Sequence, residues 1–94
     1  MRLDKSQQKA LQNAIKNVTG EVYLFGSRTD DTKKGGDIDI LVFSDKNPLK
    51  LSLQIQSDYF KECEEDIDVV VYDPNKLNSA QQDFYNSINK IRLK

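Results

Sequence analysis

The 94-residue sequence contains no histidine, no tryptophan, one cysteine and two prolines. Without histidine, the Ser-His-Asp and Cys-His relays of nucleophilic hydrolases cannot be built, and neither can a His-ligated zinc site. A single cysteine, Cys63, excludes an intrachain disulfide and a thiolate zinc cluster. A lone thiol fits a reducing, cytoplasmic setting. An excess of either charge is also lacking, with 14 Lys plus Arg against 15 Asp plus Glu. No global field draws the chain to nucleic acid or lipid headgroups, so neither is expected as a partner. No apolar run approaches the length of a membrane span, and the first residues are polar and amphipathic, unlike the centre of a signal peptide. Repeats, linkers and low-complexity tracts are absent. The length fits a single domain over residues 1–94, with one core and one site on its rim, so a partner chain could supply part of the function. What remains for chemistry is carboxylate, hydroxyl, Lys, Arg and a hard metal ion.

The apolar pattern is that of an α/β domain. Leu3, Gln7, Ala10, Leu11, Ala14, Ile15 and Val18 recur at three- and four-residue spacing, predicting an amphipathic helix of about four turns that Gly20 ends. Val22–Phe25 reads as a short buried strand stopped by Gly26, and residues 27–33 have room for a helical turn broken by Gly35-Gly36. Ile38–Phe43 predicts a second strand, with Asp37, Asp39 and Leu41 on one face and Ile38, Ile40 and Val42 on the other. Asn47-Pro48 suits a helix start, after which Leu49, Leu53, Gln56 and Phe60 share a face. Ile67–Tyr72 predicts a third strand and Asp73-Pro74 a turn. A last helix is expected to carry Leu77, Ala80, Phe84, Ile88 and Ile91 on one stripe. The order implies helices layered on a small sheet.

The chemistry-bearing residues are spread over these strands. The first delivers Gly26-Ser27 at its end, the second opens on Asp37-Ile38-Asp39, and the third carries Asp68 among Ile67, Val69 and Val70. A carboxylate within an apolar strand is costly unless it is paired or binds a cation. Asp66, two residues before Asp68, competes for the third place. Two cations about 4 Å apart, held by such carboxylates, activate an attacking oxygen and neutralise a leaving pyrophosphate. Asp68 is also suited to accept the proton of an attacking hydroxyl. Gly26 permits close approach of a phosphate to the main chain, and Ser27 can donate to it. Arg28, Lys33 and Lys34 lie within reach of a triphosphate tail, although the two lysines and the Glu62–Asp66 cluster also read as solvated surface, and Gly35-Gly36 as a plain bend. No P-loop pattern occurs. Lys-Lys-Gly-Gly precedes the Asp-x-Asp pair and the apolar strand follows it, the reverse of haloacid-dehalogenase-like phosphatases and Asp-x-Asp glycosyltransferases.

Gly26-Ser27, a loop, Asp37-Ile38-Asp39 and a later strand with Asp68 together resemble the nucleotidyltransferase superfamily of DNA polymerase beta. The length and the Leu-Phe-Gly-Ser-Arg phrase are similar to the minimal nucleotidyltransferases (MNT), the antitoxins of HEPN/MNT toxin–antitoxin pairs. The resemblance spans roughly residues 8 to 73. It implies a small mixed sheet of three to four strands flanked by helices, with Asp37, Asp39 and Asp68 as metal ligands and catalytic residues. It places Gly26, Ser27 and Arg28 at the nucleotide. It further implies Mg²⁺ (two ions), ATP as substrate, and transfer of AMP to a tyrosine of a partner HEPN toxin. A binding module that neutralises its partner by complex formation is the alternative. The chain departs from many relatives after Arg28, where Thr29-Asp30-Asp31 replaces Ala-Arg-Gly. Asp30 and Asp31 would repel a triphosphate unless they turn outward.

Overall fold

A computed structural model describes residues 1–94. The first helix, α1, spans Lys5–Ile15. Asp4 caps it, its carboxylate accepting from the Gln7 N–H at 2.8 Å while the Gln7 side chain accepts from the Asp4 N–H at 3.0 Å. This reciprocal pair satisfies two N–H groups that an uncapped helix leaves bare. The helix is shorter than expected. It ends at Ile15, and Gly20 serves a different purpose: a Cβ there would overlap the Phe43 carbonyl oxygen. Gly20 thus allows the incoming chain to lie against the sheet.

The strands are β1 (Val22–Phe25), β2 (Asp39–Phe43), β3 (Asp68–Tyr72) and β4 (Lys90–Arg92), in the order β3-β2-β1-β4. β1 runs antiparallel to β2 and to β4. β2 and β3 are parallel, a pairing that requires a long crossover. Helix α2 (Pro48–Cys63) provides it, starting at Asn47, whose side chain accepts from the Lys50 N–H at 3.0 Å. Helix α3 (Ser79–Ser87) follows β3 and is capped by Asn78.

Strand alternation divides the core in two. Val22, Leu24, Ile40 and Val42 point toward α1 and α2 and meet Leu11 and Ile55. Each such aliphatic side chain, fully buried, contributes about 1.5–3 kcal/mol. Tyr23, Leu41 and Phe43 point the other way, against α3. There Tyr85 meets Tyr23 and Phe43 edge-on at centroid distances of 5.6 and 5.3 Å, and Phe84 meets Phe25 at 5.5 Å.

Two expectations are corrected. The face of α2 chosen from the sequence is the outer one: Leu49, Leu53 and Phe60 are 68%, 55% and 48% exposed. The buried stripe is Ile55 and Tyr59, joined by Leu51 and Cys63. Both stripes have helical period, so periodicity alone did not separate them. The last helix ends at Ser87 rather than continuing to Ile91. Ile88 adopts extended backbone, with ψ 146°, and Ile91 becomes the β4 partner of Leu24. This fourth strand occupies the edge that β1 would otherwise leave unpaired. None of the helices is long and apolar enough to cross a membrane.

Candidate active site

Asp39 opens β2 and is paired in register with Phe25 on one side and Asp68 on the other. Because Tyr23, Leu41 and Phe43 lie on the α3 face, alternation puts Phe25, Asp39 and Asp68 there too. The two carboxylates therefore stand side by side where β2 and β3 begin. Asp39 is half-buried and Asp68 exposed. Burial pushes the Asp39 carboxyl above the usual carboxylate range, the negative charges of Asp68 and Asp37 add to this, and a hydrogen bond with Asp68 favours the protonated form. Like charges directly opposite one another across strands are destabilising, so folding alone gives no reason for the pair.

Asp37 lies just outside β2, exposed, and acts on Asp39 through its field. No three acidic, histidine or cysteine side chains are gathered in an arrangement that would hold a metal unaided; the structure brings together Asp39 and Asp68 and leaves Asp37 at the margin. Two carboxylates fit Mg²⁺ nonetheless, since that ion keeps waters and substrate phosphates among its ligands. Asp66 is exposed and precedes β3, without a register partner on β2.

Gly26 ends β1 with φ +77°, a left-handed conformation that side chains resist. A Cβ there would come within 2.7 Å of Asp39 Oδ2. Glycine is thus required twice, for the turn and for the closeness of main chain and carboxylate. Ser27 sits in the single 3-10 turn Gly26–Thr29, stabilised by the Thr29 hydroxyl, which donates to the Gly26 carbonyl at 2.7 Å. Gly36, with φ +87°, folds back so closely that a Cβ would overlap Ser27 Oγ. Gly35-Gly36, read as a bend, is also a close contact.

Arg28 is engaged differently from its expected place at the triphosphate. Its Nε donates to the Gly36 carbonyl at 3.0 Å and its Nη1 to the Arg2 carbonyl at 2.8 Å and to Gln7 Oε1 at 3.3 Å. The two acids that follow are also occupied. Asp30 Oδ1 accepts from the Thr32 hydroxyl and N–H, which hold its carboxyl below the usual range. Asp31 pairs with the Met1 ammonium at 2.9 Å. Lys33 and Lys34 are exposed and form no ion pair. The residue that sequence reasoning missed is Arg2, which bonds this loop at several points; a lone arginine in a polar stretch carries no signal of such a role.

A Gly-Ser turn and two adjacent strands opening on aspartates, set in a small mixed sheet with helices, define a nucleotidyl-transfer type of domain. The profile of the family described as Polymerase beta, Nucleotidyltransferase matches residues 7–91. The protein belongs to this family, and its three helices and four-stranded mixed sheet are the α/β fold that the resemblance implied. No curated relative matches the chain.

Proposed function

We propose that this nucleotidyltransferase-family protein is a Mg²⁺-dependent minimal enzyme that moves AMP from ATP to a hydroxyl of a partner protein. The acceptor is a tyrosine of an all-helical HEPN toxin, and the modification makes the protein an antitoxin. The observation that carries the reading is the Asp39–Asp68 register pair, with Asp39 close against Gly26 after β1. Asp39 and Asp68, with Asp37 from the adjoining loop, would hold the cation. When bound, Mg²⁺ neutralises phosphate charge and eases departure of pyrophosphate.

The chain's own residues supply the rest. Gly26 admits phosphate oxygens to the main chain, and the Ser27 hydroxyl donates to them. Asp68, the more exposed of the pair, takes the proton of the acceptor hydroxyl. The acceptor oxygen bonds to the α-phosphorus as the bond from that phosphorus to pyrophosphate breaks.

The engagement of Arg28 by Gly36, Arg2 and Gln7 favours a second reading, an antitoxin that neutralises its partner by complex formation around a weak site. One experiment separates the two. The protein is mixed with α-labelled ATP, Mg²⁺ and the product of its neighbouring reading frame, and label on the neighbour is expected with wild type and lost with Asp39→Asn. Absence of label, together with full protection of cells by Asp37→Asn/Asp39→Asn, leaves complex formation as the function.

A further inference from the structure

The Ser27–Asp37 stretch belongs to no helix or strand after its 3-10 turn, yet both of its limbs are tied to one side chain. Arg2 Nε donates to the Asp30 carbonyl at 2.8 Å. Arg2 Nη2 donates to the Ser27 carbonyl at 3.1 Å and to the Gly35 carbonyl at 2.7 Å. Its main chain adds two links, donating to the Arg28 carbonyl and accepting from the Arg28 guanidinium, both at 2.8 Å. One planar guanidinium therefore joins the outgoing limb at Ser27 and Asp30 to the returning limb at Gly35. The same closure seats Gly36 on the Ser27 hydroxyl. Within the loop, Arg28 Nε, whose guanidinium is itself held by the Arg2 carbonyl, also bridges the limbs by donating to the Gly36 carbonyl at 3.0 Å, whereas the Asp30–Thr32 turn and the Lys33 N–H to the Asp30 carbonyl at 3.3 Å stay within the outgoing limb.

We infer that Arg2 is a positioning residue of the nucleotide site, setting how far the Gly26-Ser27 turn stands from the Gly35-Gly36 limb and hence where Asp37 falls relative to Asp39. Arg2 lies ahead of the matched residues 7–91, so the role is assigned by this chain's own contacts. A lysine cannot replace it. An ammonium is a single point charge, whereas the guanidinium fork presents donors along several fixed directions to separate carbonyls. The inference rests on the nucleotidyltransferase reading for its consequence, and on the hydrogen bonds alone for the loop.

Two readouts on the full chain test it. Trypsin cleavage after Lys33 and Lys34, followed by mass spectrometry, reports opening of the loop without reference to activity. Binding of MgATP by calorimetry reports the site. Arg2→Ala and Arg2→Lys are both expected to accelerate cleavage at these lysines and to weaken MgATP binding about tenfold, the size of a lost charge-assisted bond. Millimolar guanidinium is expected to restore both in Arg2→Ala, and Arg92→Ala, on the opposite edge strand, to leave both unchanged. If Arg2→Ala does not fold, Arg2→Lys carries the same expectations. Wild-type cleavage rates, or faster cleavage with unchanged MgATP affinity, overturn the inference. Should wild type bind no MgATP, the proposed function fails, and the cleavage rates alone decide whether Arg2 fixes the loop.

Discussion

Replacing Asp39 by asparagine is expected to stabilise the folded protein at neutral pH. The cause is the register pair: Asp39 and Asp68 meet across parallel strands, with Asp37 adding its charge. Two unit charges about 4 Å apart repel by about 1 kcal/mol in water-like surroundings and about 4 kcal/mol at an effective dielectric of about 20. Asp68 is exposed and Asp39 half-buried, so the lower figure applies, near the top of the range of about 0.2–1 kcal/mol for cross-strand charge pairs. In a domain of this size about 1 kcal/mol shifts the melting temperature by about 4–8 °C. Asparagine also donates a hydrogen bond to Asp68, which Asp39 provides only when protonated. The pH dependence has a definite sign. The folded-state pKa of Asp39 lies above its unfolded value, so the folded protein binds this proton more tightly. Wild-type stability from this group is fully present below the ordinary carboxylate pKa and is lost as pH rises through the raised folded value. Thermal melts without metal are therefore expected to place Asp39→Asn above wild type at pH 7, with the gap closing toward acidic pH. Mg²⁺ is expected to raise the wild-type melting temperature at pH 7 and to leave the variant almost unmoved. A variant that melts at or below wild type at every pH would refute the repulsion argument.

Other outcomes follow from the same geometry. Gly26→Ala should cost about 1–2 kcal/mol for the left-handed backbone alone, plus a further penalty from the 2.7 Å approach to Asp39 Oδ2. In an Asp39→Ala background only the first part remains; equal costs in both backgrounds, measured by urea unfolding, would show that the carboxylate contact is relieved at no cost. On α2, Leu53→Gln should change stability by less than about 0.5 kcal/mol, whereas Ile55→Ala should cost about 2–5 kcal/mol. The reverse order would mean that the sequence-derived face was the right one.

Much of the site was legible because strand alternation is a strict rule. Once Val22–Phe25, the run from Ile38 and the run from Ile67 were read as strands, Asp39 and Asp68 had to lie at strand starts, and the register supplied their adjacency. The helices were less legible where two solutions had the same period. In α2, Leu49, Leu53, Gln56 and Phe60 make as good a stripe as Leu51, Ile55, Tyr59 and Cys63, and only the neighbours decide. At the C-terminus, Ile88 and Ile91 continue a helical spacing, but pairing with β1 outweighs local preference. The ties of Arg2 and Arg28 to backbone carbonyls were invisible for another reason. Such bonds depend on loop shape, and carbonyl acceptors leave no trace in residue identity.

The double stripe of α2 bears on how the chain reaches one structure. The exposed stripe lies about a third of a turn around the helix from the buried one. A roll of that size would exchange Leu49, Leu53 and Phe60 for Ile55 and Tyr59 beneath the helix. The two stripes carry apolar side chains of comparable size, so side-chain hydrophobicity by itself discriminates weakly between them. The choice is made by finer features: the Gln56 amide donating to the Ile67 carbonyl at 2.9 Å, and a space that encloses the whole Tyr59 ring although its hydroxyl finds no hydrogen-bond partner. A docking of α2 on Leu49, Leu53 and Phe60 is thus the alternative that these two features select against.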